Sequence, residues 1–214
     1  TRGLVLALHF TQLYGLNFLL GVINMVYHQK AHKRFTKSQV TLINTLRKLW
    51  EQHDVWTRST IVSITFDLPD RQVVIARLLR NPKDFGRVFE KFYGPRIATA
   101  FTNLLTEHLV LAAQIVEAAK AGNNSRVALL QRKWLQNANQ IAELLSDINN
   151  QSEREWRNMM QEHLRLVYNE AVNYLTGNYA AGVAVYDEIE KQTLEMADMM
   201  ARGIFKQFPK RFKK

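Results

Sequence analysis

Three histidines carry the spacing in this chain that most suggests chemistry. His53, His108 and His163 stand 55 residues apart, and each follows an acid closely in the words WEQH, TEH and QEH. Apolar residues recur around them at three- and four-residue steps: Leu46, Leu49 and Trp56, then Phe101, Leu105 and Ile115, then Trp156, Met160 and Val167. That periodicity puts each imidazole on the inward seam of an amphipathic helix, near mid-height, so the three should share one layer. Glu190, in register with Tyr186, Thr193 and Ala197, is expected to bring a carboxylate to the layer, with Asp187 one turn away. Imidazole with carboxylate suits zinc, iron, copper or manganese, and helical bundles build metal sites from such inward side chains. The expected set is mononuclear: His53, His108, His163 and Glu190. Glu107 and Glu162 are adjacent to their histidines and point about 100° away on a helix, which makes them partners for ring nitrogens or alternative ligands. The di-iron carboxylate pattern, Glu-x-x-His on two helices, is matched only in part. A metal-free polar layer, histidine hydrogen-bonded to acid and fixing helix register, accounts for the same residues.

Other chemistry is excluded or weakly signalled. The chain has no cysteine, which removes disulfides, thiolate metal sites and a cysteine nucleophile. No phosphate-binding loop, dinucleotide fingerprint or serine nucleophile motif is present. Trp50, Trp56, Trp134 and Trp156 read as core. Arg58 in WTR and the run QNANQ at 136–140 suit a polar pocket beside the histidines or a solvated face equally.

The elements that must position the layer are helices. With 4 prolines and 9 glycines in 214 residues, the punctuation falls between long periodic stretches. Helices are expected over 38–66, 95–121, 125–148, 153–176 and 179–207. The turn at Gly122-Asn123-Asn124, the capping box of Ser152 with Glu155, and Gly177-Asn178 separate them. The stretch from DLPD through NPKDFGRVFEKFYG reads as a connector containing a short helical piece that Asn81 caps and Pro82 begins. The fold class is all-α, an up-and-down bundle of four or five helices, ferritin-like in outline, with short turns making antiparallel neighbours.

The ends differ from the body. Residues 3–27 form an uncharged apolar stretch long enough to span a bilayer, expected as an anchor or signal-like helix. The net charge of +10 sits at the termini. Arg2, Lys30, Lys33, Arg34 and Lys37 lie on one side, Lys206, Lys210, Arg211, Lys213 and Lys214 on the other, while 38–205 is balanced. A neutral body with basic ends disfavours a nucleic-acid groove and favours an anionic lipid surface, with Lys30, Lys33, Arg34, Lys37, Lys210, Arg211, Lys213 and Lys214 as contacts. Three regions follow: 1–37 as apolar helix with basic flank, 38–207 as bundle, 208–214 as basic tail. The basic flank after residue 27 places the bundle in the cytoplasm by the positive-inside rule.

The words WEQHDVWTR, RLLRNPKDFGRVFEKFYG, LLTEHLVLAAQIVEAAKAGN and YDEIEKQ through GIFKQFP resemble a family of small helical-bundle proteins of Gram-positive type bacteria, over about 45–209. The resemblance implies a bundle often made with an export signal and supplies no activity. Some relatives carry the label acetylglutamate kinase, but this chain has neither a kinase phosphate loop nor an alternating β/α pattern. Export thus competes with the cytoplasmic placement. The leading expectation is a membrane-associated or exported bundle of the cell envelope, a binding or structural module with room for one metal ion and no need of catalysis. The alternatives are a ferritin-like metal-dependent oxidase and a subunit of a homo-oligomeric membrane or filament assembly.

Overall fold

A computed structural model describes residues 35–149 and 151–213. The apolar segment 3–27 and the cations Arg2, Lys30, Lys33, Arg34 and Lys214 lie outside the described residues. Among the described residues six α-helices follow one another: α1 (Lys37–Thr65), α2 (Arg71–Leu78), α3 (Asn81–Lys120), α4 (Asn124–Asn149), α5 (Glu153–Leu175) and α6 (Tyr179–Gln207), then a 3-10 turn, Pro209–Phe212. Among the described residues there is no strand.

Local sequence accounts for the boundaries. Thr36 caps α1 and Ser152 caps α5, each in a reciprocal capping box, with Gln39 and Glu155 respectively; side chains thereby satisfy amides that the first helical turn leaves free. Helix α3 is broken at Gly94, whose φ of 79° interrupts the spiral, and Pro95 opens the second half, where its missing N–H is no loss.

Three helix ends are built alike. Leu68 N–H donates to Ser63 C=O, Asn123 N–H to Ala118 C=O, and Asn178 N–H to Asn173 C=O, around Asp67, Gly122 and Gly177 at φ of 49°, 67° and 77°. Each is the Schellman closure, with a left-handed residue one position past the C-cap. All three recur at the 55-residue spacing of the histidines. The buried positions keep the same register: Leu46, Phe101 and Trp156; Trp50, Leu105 and Met160; Ile61, Val116 and Ala171. The bundle is one helical hairpin repeated three times: α1 with α2 and the first half of α3, the second half of α3 with α4, and α5 with α6.

These hairpins close into a ring. Helix α1 packs on α2, α3 and α6, while α3 packs on α4, α4 on α5, and α5 on α6. The apolar stripe of each faces the interior, which removes it from water. Helices α1 and α6 run antiparallel, with Arg47 paired to Asp198 and Asp54 bonded to Thr193. That places Lys37 at the end of the bundle where Lys210 and Lys213 stand, all three exposed.

One expectation needs correction. The connector is the second helical arm of the first hairpin, because Val74, Leu78, Phe85 and Phe89 supply a continuous inward stripe. The basic tail is tied to the bundle at two residues. Phe212 is buried against Phe92 and Phe205, and Arg211 donates to Lys91 C=O and lies over the rings of Phe92 and Phe208. Arg211 nonetheless remains exposed.

Candidate functional site: a three-imidazole layer

The three histidines meet in the centre of the ring, each no more than 2% exposed. Ring centroids of His53 and His163 are 5.5 Å apart, and those of His108 and His163 are 6.3 Å apart. Each imidazole is held by an amide from the second helical arm of its own hairpin. Asn81 Oδ1 lies 3.4 Å from His53 Nδ1, Asn137 Oδ1 3.0 Å from His108 Nδ1, and Gln192 Oε1 3.2 Å from His163 Nδ1. The nitrogen of each amide donates to the backbone carbonyl one turn before the histidine: Asn81 to Leu49 (2.8 Å), Asn137 to Leu104 (3.0 Å), Gln192 to Met159 (2.8 Å).

This clamp fixes the tautomer. A carbonyl only accepts, so the amide nitrogen must face it and the amide oxygen must face the ring. Nδ1 therefore carries the proton. In a neutral ring that leaves Nε2, on the edge away from the clamp, with a bare lone pair. The rings are neutral because burial holds His108 down at about 3 and His163 at about 4, and pushes His53 well below its usual range; neighbouring imidazoles add to the effect at His53 and His108. Among the described residues, each ring's hydrogen bond is the one at Nδ1.

The rings line a small cavity completed by Trp50, Phe101, Leu105, Ile141, Leu145 and Met160, with room for about one water-sized body. Its walls hold no carboxylate. Trp50 stands edge-on to His53 at 5.3 Å, and Trp134 lies 5.2 Å from His108.

Spacing decides what could sit there. Three imidazoles on one ion, with nitrogens at about 2.0–2.1 Å, put their centroids ~5.2–5.5 Å apart. A central donor bonded to them at about 2.9 Å puts them ~6.6 Å apart. One observed separation meets the first figure and the other approaches the second. As the side chains stand, no group of three or more histidines and acids among the described residues is placed to hold a metal ion.

The expected acids are not brought to the layer. Glu190 and Asp187 are exposed, because α6 turns Ile189, Gln192, Thr193 and Met196 inward. Gln192 takes the place expected of Glu190. Glu162 pairs with Arg165 at the surface. Glu107 is exposed as well but accepts from Asn137 Nδ2 at 3.3 Å, touching the amide that holds His108 instead of the ring. The three amides escape a search for ligand types. Their common offset from the histidines, 28, 29 and 29 residues, is the signal that would have found them.

A second polar cluster lies between α1, α5 and α6. Arg58 bonds Glu170 at 2.8 Å and also Tyr174, and its guanidinium covers the rings of Tyr174 and Tyr186. Burial lifts the Glu170 carboxyl to about 7 despite Arg58, and lifts Asp54 well above its usual range. Asp54 accepts from Thr193 through Oδ2, while its Oδ1 is buried without a partner.

No helix among the described residues is long and apolar enough to cross a membrane. No protein-family model matches the chain, and no curated protein or solved structure is significantly similar to it.

Proposed function

We propose that this bundle is a binding protein whose central layer takes one transition-metal ion on the Nε2 atoms of His53, His108 and His163. The supporting observation is the threefold clamp: three amides independently hold Nδ1 of three imidazoles that line one cavity. Histidines that bind metals usually donate their second ring nitrogen to such a partner, which fixes ring orientation. Bare acceptors in an apolar cavity also carry a desolvation cost that a ligand would relieve.

A ferritin-like oxidase is the weaker alternative, since Glu107, Glu162 and Glu190 stand on exposed faces and a di-metal centre needs bridging carboxylates. The 6.3 Å separation favours a second reading, in which a buried water donates to two of the rings and the layer only fixes helix register. Attachment to a membrane or envelope surface is supported by the apolar sequence 3–27 and by Lys37, Lys210 and Lys213 at one end of the bundle.

The test is elemental analysis of the full chain, purified without chelator or nickel resin, beside His108→Ala. The proposal predicts about one equivalent of metal, lost in the variant while circular dichroism keeps its helical signal. A chain that neither carries nor takes up metal leaves the water-filled layer.

A further inference from the structure

We propose that the groove between the two halves of α3, away from the imidazole layer, binds a small amino-carboxylate. The groove encloses about 280 Å³. Lys83, Arg87 and Glu90 line one wall, and Thr99, Thr102 and Asn103 line the other. Each set recurs at three- and four-residue steps and so shares one face of its half-helix. The break at Gly94 brings the walls together, and Thr102 Oγ1 donates across them to Pro82 C=O at 3.3 Å. Gly86 permits that approach, since a Cβ there would collide with Thr102 Oγ1.

The threefold repeat explains why the groove is open and what it lacks. The clamp amides Asn81, Asn137 and Gln192 are 56 and 55 residues apart, and the histidines 55. By those offsets Arg87, Glu143 and Asp198 are equivalent on the second arms, and Arg47, Thr102 and Arg157 on the first arms. Where α6 meets α1, the two positions form an ion pair, Asp198 with Arg47 at 2.6 Å. Where α4 meets α5, they again hold an acid and an arginine, Glu143 and Arg157. Between the halves of α3 the acid gives way to Arg87 and the arginine to Thr102. The short side chain leaves unfilled the space that an arginine takes elsewhere. The reversed charge faces a wall with no acid, so a bound anion would supply the missing half of the pair.

The charges around the groove define that ligand. Arg87 bonds Asp84, but Asp84 also pairs with Arg80 at 3.4 Å, and the Arg87 side chain stays 64% exposed. Among the described residues Lys83 and Glu90 form no ion pair. Two cations and one acid therefore line the groove, an excess that one carboxylate balances. A guanidinium presents paired N–H groups that match a carboxylate. Glu90 stands one helical turn beyond Arg87, about 5 Å along the axis, and would take an ammonium group on the same molecule. Thr99 and Asn103 add neutral donors and acceptors across the groove.

The experiment is calorimetric titration of the full chain at low salt with L-alanine and γ-aminobutyrate, which carry both charges, and with butyrate and butylamine, which carry one each. One or both amino-carboxylates should bind at a single site, about tenfold or more tighter than either singly charged probe. Arg87→Gln should weaken that binding about tenfold, and Glu90→Gln should erase the preference over butyrate. Thr102→Arg, which restores the long side chain of the other junctions, should block the groove. Circular dichroism checks that each variant keeps its helical signal. Butyrate binding as tightly as both amino-carboxylates overturns the proposal. So does binding that survives both Arg87→Gln and Thr102→Arg, or no binding of any probe.

Discussion

Asn137 ties α4 to α3 twice, one helical turn apart: its oxygen accepts from His108 Nδ1 and its nitrogen donates to the Leu104 carbonyl, both at 3.0 Å. Asn137→Leu removes both bonds and leaves the buried His108 Nδ1–H unpaired, while the Leu104 carbonyl keeps its helical bond, so the expected loss is on the order of 1–3 kcal/mol in chemical denaturation. The same loss is expected for Gln192→Leu and, through its longer bond, less for Asn81→Leu. A loss below about 1 kcal/mol at Asn137 would show that water replaces the clamp.

The layer also sets an acid limit. The imidazoles are neutral when folded, with His108 at about 3 and His163 at about 4, against 6.5 unfolded. The stability tied to them is full above pH 6.5 and is lost as pH falls toward the folded values. Glu170, raised from 4.5 to about 7, and Asp54, also raised, act oppositely: their contribution is present at low pH and lost as pH climbs above their unfolded values. Between roughly pH 4.5 and 6.5 these effects partly cancel. Just below pH 4.5 Asp54, whose ordinary value is 3.8, still offsets part of the imidazole effect, and stability should fall at up to ~2 kcal/mol per pH unit. Denaturation curves at half-unit intervals of pH would measure the slope.

The ion pair behind the layer gives a different pH signature. Arg58→Met leaves the Glu170 carboxyl without its cation, and that side chain is 1% exposed. Glu170 then holds its proton more tightly, so the variant should lose more stability at pH 8 than at pH 5, by up to ~1.4 kcal/mol per unit. Arg58→Met with Glu170→Leu should restore a flat profile, because an apolar pair leaves no charge stranded.

Asp67 tests the repeat through its turns. It occupies the left-handed position that glycine fills at 122 and 177, at a cost of ~1 kcal/mol for a side chain. It also forms a 2.5 Å pair with Lys120 while 75% exposed, an arrangement of little net worth. Asp67→Gly should therefore raise stability by about 0.5 kcal/mol. A loss instead would mean that the Lys120 contact outweighs the strain.

Much of this was legible in the sequence. The histidines fall on the inward seam because their apolar neighbours repeat at helical spacing, and the turns at Gly122 and Gly177 announce themselves. The third turn is masked by Asp67, which carries a positive φ without glycine, so the 55-residue spacing of the histidines did not extend to a threefold hairpin. Asn81 precedes a proline and reads as a cap, yet its side chain is buried on the His53 clamp. Glu190 shares the apolar spacing of Tyr186, Thr193 and Ala197, but it lies two residues from Gln192, about 200° round the helix, and an amide serves the imidazole where a carboxylate is the more conspicuous partner.

The central claim is that three bare Nε2 atoms surround one cavity. Long-range proton–nitrogen correlation spectra of the imidazoles, recorded on the metal-free full chain at neutral pH, read the tautomer of each ring directly. Three rings, assigned by His53→Gln, His108→Gln and His163→Gln, should be protonated at Nδ1 and bare at Nε2, and should shift together on adding one equivalent of metal. Protonation at Nε2 in any of the three would contradict the account, because that ring would then present a proton where it must present a lone pair.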